Sequence, residues 1–237
     1  MTYEAPKARV EDIGADGYRD PLSLAQWSVW LLYAHSLVSF LGVVSGILER
    51  QTLMGLDSGA LGADDAEASD QRQVMLAGAQ FIVFIATGVL CLRWIHRMCH
   101  NARVKASYMQ YTPGWSVGWY FIPIAYWWKP YQAMKEIWRK SSEQAGPRGD
   151  ESASLLGWWW ALWIIANLLS NASFRMAARA STIDSLLTAN SLGVMSDILQ
   201  LPLNVIFIVM VKRLTAMQEY AYENPQAQVA ATDLRSA

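Results

Sequence analysis

The chain has 237 residues, is 53% hydrophobic and only 16% charged, and carries a formal net charge of −1 at pH 7. Soluble domains average about 25% charged residues, so this composition points to a lipid environment, and 12 tryptophans suit a membrane–water interface. The charges are segregated along the sequence instead of forming one basic face, which excludes a nucleic-acid-binding domain.

Residues 1–20 are polar, of mixed charge, and read as a disordered cytoplasmic N-terminus. Twenty polar residues before the first apolar run leave no pattern of a cleavable signal. Asp20-Pro21 marks a helix start. The first span, about 24–48, is uncharged and about 36 Å long as a helix, enough to cross a bilayer. Gly42 and Gly46 within it form a close-packing pair, for a neighbouring helix or for a second copy.

Glu49 to Arg72 reads as a flexible acidic loop. Its DSGALGADDAE stretch lacks the alternating oxygen ligands and terminal Glu of a calcium loop, so it is assigned to solvent. The second span, about 74–94, ends in a basic cluster. His96, Cys99 and His100 follow it, but no third or fourth ligand is near and the neighbours are cationic, so no metal is assigned. Cys91 and Cys99 lie about 12 Å apart along a helix, too far for a disulfide.

Arg93 to Lys140 is the most unusual stretch. Arg93, Arg97, Arg103 and Lys105 open it, an apolar core from Trp115 to Trp128 follows, and Lys129, Lys135, Arg139 and Lys140 close it. Pro113, Pro123, Pro130, Gly114 and Gly118 interrupt the core, which a plain spanning helix does not need. Equal positive charge on both sides opposes crossing. The expectation is a re-entrant or interfacial segment at 113–140 on the cytoplasmic side. Gly114 and Gly118 would let a half-helix approach another backbone. Tyr131, Met134 and Trp138 recur at helical spacing with Lys135, Arg139 and Lys140 opposite, an amphipathic helix for the headgroup plane or a plain extension of the helix before it.

The same stretch carries a resemblance. RW-x2-R-x3-NAR, PGW-x-VGW-x-FIPIA and WKPYQAM-x-EIW are similar to bacterial membrane proteins grouped as domain of unknown function 4328. The matching residues are Arg93, Trp94, Arg97, Asn101, Ala102 and Arg103, then Pro113, Gly114, Trp115, Gly118, Trp119 and Pro123, then Trp128, Lys129, Pro130, Tyr131, Gln132, Ala133, Met134 and Trp138. More loosely the likeness runs from Leu24 to Gln218. It implies a multi-pass membrane protein and brings no reaction or cofactor with it.

Ser141 to Ser152 reads as a polar linker. The third span, about 155–174, opens on Trp158, Trp159 and Trp160. Arg175 to Ala189 reads as a short loop. The fourth span, about 191–211, contains Pro202 and stops at Lys212-Arg213. Residues 215–237 read as a cytoplasmic tail, helical first and loose from Asn224-Pro225. With four spans and the Trp115–Trp128 core not crossing, fifteen of the 19 Lys and Arg fall on one side, leaving Arg50, Arg72, Arg175 and Arg179 on the other. Five spans would remove this bias. The positive-inside rule therefore puts both termini in the cytoplasm. The fold expected is all-α, an integral membrane four-helix bundle with the broken segment added.

No HExxH, GxSxG, P-loop or paired CxxC occurs, so neither an enzyme nor a cofactor is assigned. Polar residues instead recur on one seam of each span. Ser28, His35, Ser39, Gly42 and Gly46 lie on the first, Gln73, Gln80, Thr87 and Cys91 on the second, Asn167 and Asn171 on the third, and Asn190, Gly193, Asp197, Gln200 and Asn204 on the fourth. Such seams face the bundle interior, as helix–helix glue or as a polar cavity. Counting inward from the outer ends puts Gln80, Asn167 and Asp197 at one depth, with both amides expected to donate to Asp197 and His35 lying deeper. Three functions follow as expectations. The first is a non-catalytic scaffold or partner- and lipid-binding module, with anionic headgroups at 93–140 and a homo-oligomeric or membrane-protein partner. The second is a small transporter or channel component acting as an oligomer. The third is an intramembrane enzyme built on His35 and Asp197.

Overall fold

The computed structural model describes residues 17–106, 108–150 and 154–224. The disorder expected of residues 1–16 and of the tail beyond residue 224 lies outside them. Among the described residues all regular elements are helical. They are α1 (Leu22–Asp57), α2 (Ala63–Lys105), α3 (Pro113–Gly118), α4 (Lys129–Ala145), α5 (Ser154–Ala177) and α6 (Ile183–Glu223), with short 3-10 turns around them. Four helices, α1, α2, α5 and α6, are long and apolar enough to cross a membrane. Even the shortest, with 24 residues, extends about 36 Å against a hydrocarbon core of about 30 Å.

The acidic stretch after the first span is a correction. Glu49–Asp57 and Ala63–Arg72 are helical, and only Ser58–Gly62 forms the turn. Ala, Glu and Gln are good helix formers, and Asp64 and Asp65 stand in the first turn of α2, where the helix dipole favours negative charge. Asp65 also accepts from the Gly62 amide at 2.9 Å. The loop expected at 175–189 likewise shrinks, because α5 runs to Ala177 and α6 starts at Ile183. Thr182 and Ser185 bond each other reciprocally there, Ser185 N donating to Thr182 Oγ1 at 3.3 Å and Thr182 N to Ser185 Oγ at 3.2 Å. The linker expected from Ser141 is helical through Ala145, with Ser141, Ser142 and Gln144 buried.

Two compact units are distinguished. One comprises Met1–Ser28, Leu90–Leu156 and Val209–Ala237; the other comprises Val29–Val89 and Gly157–Ile208.

The first unit has an ordinary apolar core of Trp94, Met98, Met134, Ile137, Met210 and Leu214. In it the apolar face of α4 is covered by protein, since Ala133, Met134, Ile137 and Trp138 are all buried. That corrects the reading of α4 as a helix lying with its apolar face in the headgroup plane. Polar groups lock the packing. Gln218 donates to Met98 O at 2.9 Å and to Ser141 Oγ at 2.8 Å, and Gln144 donates to Ala102 O at 2.8 Å.

The broken stretch forms no span-long helix. Pro113 opens α3 behind the Thr112 cap, 3-10 turns follow at Trp119–Phe121 and Ala125–Trp127, and Pro130 stands in the first turn of α4. Six residues of α3 cover about 9 Å, too little to cross. Between the 3-10 turns Ile124 adopts φ 70°, costly for a β-branched residue, and it stays exposed. Gly114 faces open space, and a side chain at Gly118 would meet the Trp115 ring of its own helix. The expected backbone approach at these two glycines is therefore absent.

The second unit is turned inside out relative to a water-soluble bundle. Phe40, Phe81, Ile82, Ile198 and Val205 are exposed, while Ser39, Ser45, Thr87, Ser196 and Asn204 are buried. A hydrocarbon solvent selects this arrangement, because it satisfies apolar side chains and no polar ones. The tryptophan run at the start of α5 packs inward in part. Trp159 stacks on Phe207 with ring centroids 5.5 Å apart, and Trp160 stacks on Trp163 at 4.7 Å.

Candidate functional site

Within the second unit, helical spacing brings polar residues onto one wall of each helix. Side chains three, four or seven apart share a helix face. His35 and Ser39 on α1, Gln80 and Phe84 on α2, Trp163, Asn167 and Ser170 on α5, and Asp197 and Gln200 on α6 obey that rule. Together they line a single cavity of about 250 Å³. Among the described residues, no lysine or arginine lines it.

Asp197 is held loosely. Gln80 Nε2 lies 3.4 Å from each of its carboxylate oxygens, at the long limit for a hydrogen bond. Gly42 makes even this approach possible, since a methyl group at that position would collide with both Asp197 and Gln80. Gly46 meets Val194 in the same way. The glycine pair thus serves packing of α1 on α6 within the unit.

The expected layer of two amides on Asp197 is half present. Asn167 instead donates to Trp163 O at 2.7 Å, and Asn171 to Asn167 O at 2.8 Å. An asparagine on a helix can satisfy itself on the carbonyl four residues back without reaching across a gap. His35, expected deeper, lines the same cavity, with its ring 6.3 Å from that of Phe84. Asn204 donates to Ser36 Oγ at 3.2 Å. Gln200 lines the cavity, and its amide oxygen is buried without a hydrogen-bond partner among the described residues.

A two-amide layer does exist elsewhere: the seams place its amides, Gln73 and Asn190, inward, but the sequence reads its carboxylate as loop. It is centred on Glu49. Gln73 Nε2 donates to Glu49 Oε2 at 2.9 Å and Asn190 Nδ2 donates to the same oxygen at 2.7 Å. Both also reach backbone of α1, at Ser45 O and Gly46 O. The available signal was register: Glu49 falls three and seven residues after Gly46 and Gly42 on the same seam.

The basic–aromatic motif residues lie in the first unit, and most of them hold backbone. Asn101 pairs with Arg19 through both main-chain groups, accepting from its N–H at 3.0 Å and donating to its C=O at 2.8 Å. Arg97 donates to Asp20 O. Arg103 donates to Met109 O and Tyr111 O at 3.2 and 3.1 Å. The Trp94 indole donates to Thr215 at 3.1 Å, and that of Trp138 to Asp150 O at 2.8 Å. The Lys129 ammonium lies 5.8 Å from the Tyr111 ring and 5.5 Å from the Trp119 ring, within cation–π range. Trp115 packs on Trp119, ring centroids 4.7 Å apart. Tyr131 is half-buried, while Arg93 and Trp128 are exposed. His100 contacts Gly17 O at 3.1 Å, and Cys99 reaches Tyr111 O at 3.5 Å. Residues 17–20, expected as part of a disordered N-terminus, are thereby pinned in place.

Fold and site together define an all-α integral membrane protein with a polar cavity among its long apolar helices. The family model described as Domain of unknown function (DUF4328) matches residues 57–216, and the chain belongs to that family. No curated protein and no solved structure matches it.

Proposed function

We propose that the protein is a non-catalytic, membrane-embedded binding module whose cavity receives a small ligand. The observation that carries this reading is the convergence of His35, Gln80, Asp197 and Gln200, from three helices, on about 250 Å³ of space. Glue alone needs side chains that bond one another and close the gap. Here Asp197 keeps only long bonds, and the Gln200 oxygen keeps none among the described residues. Polar groups placed at membrane depth at such cost mark a ligand path. The cavity is smaller than the pockets of about 300–1,000 Å³ that take drug-sized ligands, so it suits a smaller molecule. By the positive-inside count, both termini and the Arg93–Arg148 region face the cytoplasm.

Cysteine accessibility tests the cavity. In a background with Cys91 and Cys99 replaced by alanine, Gln200→Cys in membrane vesicles should react with a small water-soluble methanethiosulfonate. The exposed apolar-face variant Ile198→Cys should not. Equal protection of both would remove the reading.

A second role is supported by the first unit's surface. Arg93, Lys135 and Arg139 are exposed, as are Trp115, Phe121, Ile124 and Trp128. This combination suits docking on anionic lipid headgroups, at about 1 kcal/mol per basic residue near the surface. Its apolar component comes from the broken segment, because the corresponding face of α4 is already covered.

A further inference from the structure

The chemistry of the cavity wall narrows the ligand further, and this step rests on the binding-module reading above. We infer that the cavity takes a small organic ammonium ion, with its charge on Asp197 and its hydrocarbon part against Phe81, Phe84 and Trp163. Four observations lead there.

The wall has one carboxylate and one imidazole, His35, which makes no hydrogen bond or ion pair with Asp197, and among the described residues no lysine or arginine faces it. An ionised carboxylate away from water needs a positive partner or several donors. Gln80, at 3.4 Å from both oxygens, supplies one donor only. The charge is thus left for the occupant to balance.

The neighbouring polar groups add acceptors. Gln200, on the same wall, holds a buried amide oxygen without a donor among the described residues, and Ser39 and Ser170 line the cavity beside it. An ammonium group brings up to three donors and no acceptor, which complements this set. A carboxylate or phosphate ligand would meet Asp197 as a like charge.

The rest of the wall is aromatic. Phe81, Phe84 and Trp163 line the cavity, and aromatic faces attract both alkyl groups and ammonium cations. A bare metal ion gains nothing from them; Ca²⁺ or Mg²⁺ wants six or more oxygen ligands, and among the described residues no three His, Cys, Asp or Glu side chains gather to hold a metal such as zinc.

The space is too large for a proton or a monatomic ion alone. One water occupies about 30 Å³ in the liquid, so a cavity of about 250 Å³ has room for a short alkyl chain besides the charged group.

A matched ligand series separates charge from mere fit. The full-length protein in nanodiscs is titrated with n-butylammonium, 1-butanol and butyrate, and binding is followed by tryptophan fluorescence and thermal shift. Butylammonium should bind and raise the melting temperature, with 1-butanol at least tenfold weaker and butyrate without effect. Asp197→Asn should weaken butylammonium by roughly ten- to a hundredfold, the scale of a lost hydrogen bond to a charged group, and 1-butanol, which carries no charge, by much less. Asp197→Glu should retain the preference for the amine. The melting temperature of each variant without ligand shows that it is folded. Equal binding of 1-butanol and butylammonium, or a preference for butyrate, overturns the ammonium inference and leaves the cavity reading standing. Binding of none of the three, with Gln200→Cys still reactive, also overturns it. Loss of that cysteine reactivity defeats both.

Discussion

Asn101→Ala is the sharpest test of how the first unit is held together. Asn101 is 3% exposed and spends both ends of its amide on the main chain of Arg19, at 3.0 and 2.8 Å. Each bond contributes about 1 kcal/mol net. Alanine removes both and leaves a donor and an acceptor of Arg19 unpaired. Arg19 is half-buried, so water recovers part of that loss, and the expected cost is about 2–3 kcal/mol. Arg97→Ala supplies the control, because it removes one bond to the neighbouring Asp20 carbonyl from an exposed setting and should cost about 1 kcal/mol or less. Denaturation in detergent, followed by tryptophan fluorescence, measures both. Limited proteolysis near Tyr18 should accelerate in Asn101→Ala before the rest of the chain unfolds, since residues 17–20 come loose first. Asn101→Ala melting like the parent, or costing less than Arg97→Ala, would refute the assignment of Asn101 as the pin.

Other outcomes follow from the same geometry. Trp94→Phe removes the buried indole bond to Thr215 and should destabilise by about 1–2 kcal/mol, with Thr215→Val giving a similar loss that is not additive with it. Gly46→Leu should drive a side chain into Val194 and lower the yield of folded protein, whereas Gly114→Ala, which faces open space, should be tolerated. Burial first, then the nearby acids Asp20, Glu219 and Glu223 and the Tyr222 hydroxyl, raises the Tyr18 phenol above its ordinary value of 10.0. A group raised on folding supports the fold below its unfolded pKa and loses that support as pH climbs. The Tyr18–Tyr222 stack, with centroids 4.0 Å apart, should therefore loosen from about pH 10 upward, and Tyr18→Phe should remove that alkaline sensitivity in a fluorescence titration.

Much of the fold was legible because the bilayer imposes a simple rule: about twenty apolar residues in a helix. The uncharged 24–48 run and the 74–94 run meet it without help from tertiary contacts. Helix ends were less legible. Glu49 to Arg72 reads as loop on charge and glycine content, yet charge there only marks exposure, and exposed Glu, Gln and Ala still form helix. That misreading hid Glu49, which accepts from both Gln73 and Asn190. At Asp197, register places His35, Gln80, Asn167 and Gln200 on one cavity wall. The bond expected from Asn167 goes to Trp163 O instead, because no periodicity tells whether an amide reaches across a gap or back to the carbonyl four residues behind it.

The motif stretch teaches a different lesson about reading basic residues beside a membrane. Positive charge at Arg97, Arg103 and Lys105 fits both the positive-inside rule and a headgroup-binding surface. These side chains also hold the main chain. Arg97 donates to Asp20 O, Arg103 to Met109 O and Tyr111 O, and Lys105 to Ala221 O at 2.7 Å. Carbonyls stranded at helix ends and in turns need donors, and a long cationic side chain can deliver one while its charge stays near water. Orientation and local architecture thus draw on the same residues. Substituting glutamine for Arg103 separates the two, since it removes a charge yet keeps an amide donor. Topology should survive, because fourteen basic residues remain on that side of the count. The turn at 108–112 should loosen, because one shorter amide cannot span both carbonyls. Faster protease cleavage in that turn, with unchanged cysteine labelling at an introduced Ser141→Cys, is the expected pair of results. Inverted labelling would mean that Arg103 acts chiefly on topology.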